Sequence, residues 1–183
     1  MKGMIVVRVD RCLGCNSCQV ACAVEHSASK NLLGAIGESP APRARVRVEP
    51  GPGFAVPLQC RHCEDAPCVL VCPTEAIYRP DESSPVLIDA DRCIGCRFCI
   101  VACPFGVIEP SRDGKAMVKC DLCVQRAAEG LQPACVAGCP VRAIKLEDVV
   151  DFLRDRRRQA GEQLAASRRQ RSASESSDEP GKG

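Results

Sequence analysis

Tryptophan is absent from this chain, tyrosine occurs once, histidine twice and phenylalanine four times. Large aromatic anchors for a core are therefore scarce, and Val, Ile, Leu and Ala must fill whatever interior there is. No stretch approaches the roughly 20 apolar residues of a membrane span. Residues Met1–Asp10 hold a single Lys and a short Ile/Val run. They carry no long apolar segment or cleavage site and read as a strand rather than a secretion signal. No G-x-G-x-x-G follows a strand, which argues against a dinucleotide site of that type. No Ser/His/Asp arrangement stands out, and no DNA-binding or signalling module is visible. Neither an enzyme with its own catalytic centre nor a nucleic-acid partner is expected.

What the chain has is cysteine, sixteen in 183 residues. They fall into four sets with none left over: Cys12, Cys15, Cys18, Cys22; Cys60, Cys63, Cys68, Cys72; Cys93, Cys96, Cys99, Cys103; and Cys120, Cys123, Cys135, Cys139. In the first and third sets, three thiols at successive C-x2-C gaps precede a fourth at C-x3-C. That is the spacing by which one loop wraps three corners of a cubane [4Fe–4S] cluster. Gly14 and Gly95 lie two residues after the first cysteine of their sets, where the tight turn calls for positive φ. Pro73, Pro104 and Pro140 follow three of the four closing cysteines and end the local turn. Ala23 stands after Cys22 instead, so a different exit of the chain is expected there. Tetrahedral zinc needs only two C-x2-C pairs, and the triple spacing suits it poorly. A secreted disulfide scaffold lacks its signal. A reducing cytoplasm suits thiolates that await iron.

Four cubanes would change the charge. The sequence alone carries +2. An oxidised cubane core on four thiolates nets about −2 per site, so the loaded chain falls to roughly −6. Because metal sites replace much of the usual core, folding is expected to depend on cluster insertion.

The sets form an internal repeat. Val9-Asp10-Arg11-Cys12-Leu13-Gly14-Cys15 matches Ala90-Asp91-Arg92-Cys93-Ile94-Gly95-Cys96, and Val20-Ala21-Cys22 matches Val101-Ala102-Cys103. The second and fourth sets both open C-x2-C and close C-x3-C-P, which suggests a doubled two-cluster unit. Short strands are expected at 4–9, 76–78, 86–88, 106–108 and 143–146. Residues 43–49 should pair with 54–58 across Gly51-Pro52-Gly53. Helix is expected at 30–36, single helical turns in the cysteine loops, and a C-terminal helix at 147–159. The polar residues 160–183 should be disordered. The fold class is α+β, with two ferredoxin-like modules of short antiparallel hairpins and short helices. A body at 1–150 precedes a helix end and tail at 151–183. His26 is expected as a surface or loop-packing residue, and Asp10-Arg11 and Asp91-Arg92 as turn caps.

Spacing leaves the pairing of sets open: first with second and third with fourth, or first with fourth and second with third. The sixteen cysteines in register, over about residues 4–147, resemble the four-cluster polyferredoxin subunits. Those subunits serve molybdopterin oxidoreductases of the DMSO reductase type, formate-linked hydrogenases and CO dehydrogenases. The resemblance implies the nested pairing. One cluster would take Cys12, Cys15, Cys18 and Cys139, and its twin Cys120, Cys123, Cys135 and Cys22. A third would take Cys60, Cys63, Cys68 and Cys103, and the last Cys93, Cys96, Cys99 and Cys72. The segment from Ala21 through Cys22, Ala23, Val24, Glu25 and His26 to Leu32 is similar to the one after the first set in the electron-transfer protein of anaerobic CO dehydrogenase. The resemblance therefore implies a one-electron carrier between CO dehydrogenase and a hydrogenase, an NAD(P) oxidoreductase or another acceptor. An electron-transfer subunit of a molybdopterin or formate-dependent enzyme is the alternative, and a redox-sensing regulator a third. The expected location is the cytoplasm, with any inner-membrane attachment made through a partner.

Overall fold

Short strands and short helices alternate along most of the chain, as an interior of thiols and small aliphatics dictates. In the computed structural model, residues 3–177 are described, with side chains through residue 168. Strand β1 (Met4–Val7) leads into a 3-10 turn at Val9–Arg11 and then the first cysteine loop. Helix α1 (Ser17–Glu25) follows. It places Cys18 and Cys22, four residues apart, on one buried face. Helix α2 (Leu32–Gly37) is capped by Asn31, whose Oδ1 accepts from the Gly34 N–H at 2.8 Å.

Strands β2 (Val46–Gly51) and β3 (Phe54–Gln59) form the expected antiparallel hairpin, in register from Val46↔Gln59 to Gly51↔Phe54. Gly53 turns it at φ 75°. Alternation along β3 buries Ala55, Pro57 and Gln59. After helix α3 (Pro67–Leu70), β4 (Ile77–Tyr78) pairs antiparallel with β5 (Leu87–Ile88). Helix α4 (Phe98–Ala102) precedes β6 (Glu109–Pro110), which pairs antiparallel with β7 (Met117–Val118). Helices α5 (Val124–Ala128) and α6 (Ala134–Ala137) lead to β8 (Ile144–Glu147), which pairs with β1. The first and last strands of this unit are thus neighbours, and the Arg8 N–H donates to the Ala143 carbonyl at 2.7 Å.

Two buried cores result. One joins Ile5, Cys18, Cys22 and Val46 to Cys120, Leu122, Cys135 and Ile144. The other joins Ala66, Cys68, Ile77 and Val86 to Cys99, Ile108 and Met117. Two expected elements in this part of the chain need correction. The first loop opens into a helix of 9 residues rather than a single turn, because no proline follows Cys22. The strand expected at 106–108 lies instead at Glu109–Pro110, since Gly106 adopts φ 61° and turns the chain.

The chain divides into Met1–Leu146 and Glu147–Gly183. The second unit holds helix α7 (Val149–Ser177), 29 residues long. The expectation of disorder from residue 160 fails as far as Ser177; residues 178–183 lie outside the described residues. Ala, Gln, Glu and Arg favour helix there without burying a core. Asp151–Arg154 at 2.8 Å and Arg158–Glu162 at 3.3 Å bridge successive turns. Among the described residues, no helix is long and apolar enough to cross a membrane.

Candidate metal centres

Each cysteine loop is built around the same backbone device. The residue two after the first cysteine has positive φ in all four sets: Gly14 (66°), His62 (49°), Gly95 (68°) and Leu122 (55°). In two of the sets the residue's own N–H reaches the first thiol. The His62 N–H donates to Cys60 Sγ and the Leu122 N–H to Cys120 Sγ, both at 3.4 Å. The glycines announce the turn in two sets. In the other two a larger residue adopts the strained form, held by its surroundings. For His62 the holder is Arg79, whose guanidinium donates to the carbonyls of His62 and Cys63.

A second device follows the closing cysteine. Where proline comes next, the residue after two more also has positive φ: Glu75 (50°), Gly106 (61°) and Arg142 (52°). Their N–H groups return to the carbonyls of Cys72, Cys103 and Cys139 at 3.2–3.3 Å. After Cys22, with Ala23 in place of proline, α1 continues instead, which is the different exit expected. The expected turn caps are only partly seen. Val9–Arg11 forms its 3-10 turn. Before the third set, however, Asp89 accepts the Asp91 N–H at 2.9 Å.

The thiols gather across the chain. One cavity is lined by Cys12, Cys15, Cys18 and Cys139. Another is lined by Cys60, Cys63, Cys68 and Cys103. Cys22, Cys120 and Cys135 share the first core, and Cys123 feels the charge of Cys22. Cys72, Cys93 and Cys99 share the second core, and Cys99 feels the charges of Cys93 and Cys96. Burial, reinforced by neighbouring thiols, pushes Cys18, Cys99 and Cys123 up to about 11 and Cys135 to about 12. Cys120 is driven well above the usual thiol range for the same reason. Thiols so buried and so close together ionise only against a strongly positive occupant, and sulfur donors select iron–sulfur clusters over hard cations.

The surroundings fit such an occupant. His62 lines the second cavity, and its Nδ1 accepts the Val86 N–H at 3.1 Å. The ring hydrogen therefore sits on Nε2, which is buried without a partner. An inorganic sulfide is an acceptor of the right kind for it. Burial, with help from the Lys119 charge, lowers His62 to about 3 and keeps its ring neutral.

His26 departs from the surface reading: its side chain is 11% exposed. Its Nε2 lies 3.2 Å from Asp121 Oδ1 and its Nδ1 lies 2.8 Å from the Cys22 carbonyl. Burial opposes its charge, but the bonds to Asp121 and Cys22 prevail and raise it to about 9. Asp121 also receives Arg45 at 2.6 Å and the Cys123 N–H at 2.9 Å. Burial acts to raise its carboxyl, yet His26 and Arg45 hold it well below the usual range. Arg45 in turn donates its backbone N–H to Cys22 Sγ at 3.2 Å. His26, Asp121 and Cys123 converge closely enough for a metal ion. The ion pair accounts for two of them and the cysteine set for the third. Sequence reasoning missed Arg45, Arg79, Lys119 and Asp121. Of these, only the positions of Lys119 and Asp121 on either side of Cys120 offered a signal.

Thiols from loops far apart in sequence, gathered in two cavities and two cores and met by backbone N–H donors at Cys22, Cys60, Cys120 and Cys139, define a ferredoxin-like iron–sulfur protein. The 4Fe-4S dicluster domain matches residues 53–149. An iron-sulfur protein of Rhodospirillum rubrum is 42% identical over 159 residues, 80% of this chain and 82% of the relative. Electron transport protein HydN of Escherichia coli is 37% identical over 188 residues, 94% of this chain and 98% of its own. Thiosulfate reductase electron transfer subunit PhsB of Salmonella typhi is 42% identical over 136 residues, 74% of this chain and 70% of its own. The chain belongs to the 4Fe-4S dicluster family of iron–sulfur electron-transfer proteins. Its cofactors are multiple [4Fe–4S] clusters.

Proposed function

We propose that the chain relays single electrons through four [4Fe–4S] clusters held in nested sets: Cys12, Cys15, Cys18 with Cys139; Cys120, Cys123, Cys135 with Cys22; Cys60, Cys63, Cys68 with Cys103; and Cys93, Cys96, Cys99 with Cys72. The observation that carries this reading is the cavity in which Cys139 joins the first three cysteines of the chain, together with its counterpart where Cys103 joins Cys60, Cys63 and Cys68. Two ferredoxin-like modules follow from it, one around each core, within a body spanning residues 1–150; residues 151–183 carry the rest of the C-terminal helix and the tail.

When bound, a cubane supplies reversible one-electron exchange at low potential. The chain's own residues do the rest. Thiolates hold each corner, and the N–H groups of His62, Leu122, Arg45 and Ala143 donate to sulfur at 3.1–3.4 Å. Such donors stabilise the anionic sulfurs and limit reorganisation. Ile5, Val46 and Ile144 on one side, and Ile77, Val86 and Ile108 on the other, exclude water. Cys15 and Cys96 are the exposed members of their sets, and a partner's redox centre would come nearest there.

For the partner, the segment 21–32 supports anaerobic CO dehydrogenase as donor, with a hydrogenase or an NAD(P) oxidoreductase as acceptor. The similarity to a thiosulfate reductase subunit supports the second reading, an electron-transfer subunit of a molybdopterin or formate-dependent oxidoreductase. On either reading the chain is expected in the cytoplasm, with any inner-membrane attachment made through its partner. Reductive titration of the anaerobically reconstituted protein tests the relay: about four electrons should be taken up reversibly. Retention of only one or two clusters would refute it. Anaerobic co-purification decides the partner, since CO dehydrogenase and a molybdenum enzyme cannot be mistaken for each other.

A further inference from the structure

Lys119 is the one charged side chain that is buried among the described residues, at 3% exposure. Its Nζ donates to the Cys120 carbonyl at 3.0 Å and to the Val86 carbonyl. Among the described residues no carboxylate pairs with it. Two neutral carbonyls take two of its three hydrogens and none of its charge, and an uncompensated ammonium in such a place is strongly disfavoured. Something anionic must answer it. Val86 is a wall residue of the cavity lined by Cys60, Cys63, Cys68 and Cys103. The Lys119 charge acts on the thiols of that cavity: it opposes the effect of burial at Cys60 and at Cys68. Yet Lys119 belongs to the chain segment that opens the fourth cysteine set, next to Cys120.

We propose that the Lys119 ammonium is the buried countercharge of the cluster held by Cys60, Cys63, Cys68 and Cys103, and that it raises this centre's reduction potential selectively. The inference rests on the ligand set proposed above. Each electron added to the centre makes it more anionic, and a fixed cation in a low-dielectric wall favours that reduced form. The geometry also couples the two cores. The residue that tunes a centre in one core is anchored by the backbone of a cysteine from the other. Its charge, little screened because it is buried, acts on the thiols of Cys60 and Cys68 in that cavity.

The test uses the full-length holoprotein under anaerobic conditions, read by potentiometric titration with electron paramagnetic resonance and by iron and sulfide content. Cys63→Ser and Cys103→Ser, made separately, mark a centre spectroscopically and should mark the same one. Lys119→Gln removes the charge while keeping a donor. It should lower the equilibrium constant for reduction of the marked centre about tenfold, a shift of about 59 mV for one electron, with the other three moved less. Lys119→Arg keeps the charge and should restore the midpoint to near its original value. If Cys63→Ser and Cys103→Ser mark different centres, the ligand reading fails and the proposal with it. If they mark one centre and Lys119→Gln leaves it in place, or moves all four alike, the proposal fails and the ligand reading stands. If Lys119→Gln does not load and Lys119→Arg does, the charge is needed and the proposal is supported. Failure of both to load overturns it in favour of a purely steric role.

Discussion

At the scale of single residues, the left-handed position after the first cysteine decides how tightly a loop can close. Gly14 and Gly95 adopt it freely, and a side chain there costs about 1 kcal/mol on conformation alone. Their surroundings differ. A Cβ at position 14 would meet Ala55 Cβ at 3.4 Å, an ordinary contact, whereas one at 95 would meet the Lys115 carbonyl at 3.2 Å. Gly95→Ala should therefore speed cluster loss to a chelator more than Gly14→Ala, measured by the bleaching rate of the visible absorbance. Equal rates would show that the turn, not the neighbour, governs. His62 and Leu122 occupy the same position without glycine. No sequence signal marks them, because what holds them there is tertiary: Arg79 on the carbonyls beside His62, and the burial of Leu122 in the first core.

Among elements, two contacts tie distant parts of the chain together. Helix α1 meets the end of α6 where Gly138 faces Ala21; a Cβ added to Gly138 would lie 2.6 Å from the Ala21 methyl. Gly138→Ala should destabilise the folded protein by about 1–3 kcal/mol in anaerobic denaturant titration, the range for overpacking. Ala21→Gly should relieve much of that cost, and a failure to do so would place the strain elsewhere. The second contact ties the β2–β3 hairpin to β6. Arg47 donates to both oxygens of Glu109 at 2.7 and 2.6 Å, and Arg43 reaches the same carboxylate at 3.0 Å. The hydrogen bond from Arg47 leads in holding the Glu109 carboxyl below its ordinary 4.5. A depressed acid stabilises the fold fully above its unfolded value and loses that contribution as pH falls through the folded one. Glu109→Gln should thus cost about 1–2 kcal/mol at neutral pH. The gap to the parent protein should narrow as pH falls below about 4.5.

For the whole molecule, stability is tied to metal. Burial pushes the thiols of Cys18, Cys99 and Cys123 up to about 11 and that of Cys135 up to about 12, so these sulfurs keep their protons until metal takes their place. As ligands they are thiolates, so cluster insertion must release protons, and loading should strengthen as pH rises through the thiol range. Calorimetry of reconstitution in buffers of different ionisation enthalpy would detect the release; its absence would mean that the thiols are already ionised. Iron removal should also abolish the cooperative unfolding transition of residues 3–146, since cysteines make up so much of both cores. Much of this was legible in the sequence. The sixteen cysteines and their gaps specify loops, cofactor class and repeat, because ligand spacing is a local property of a few consecutive residues. The hairpin at 46–59 was legible from alternation and a turn glycine, and the different exit after Cys22 from a missing proline. Helix α7 runs on beyond residue 159, where low hydrophobicity suggests disorder but good helix formers and bridging ion pairs suffice. What only the tertiary structure decided are the partnerships across the chain: β1 beside β8, Cys139 beside Cys12, Cys103 beside Cys60, His26 against Asp121, and the Lys119 ammonium against Val86. Spacing along a chain determines what a loop can hold. Which loop completes it depends on long-range packing and on burying charge beside its opposite, and neither is written in any short stretch of residues.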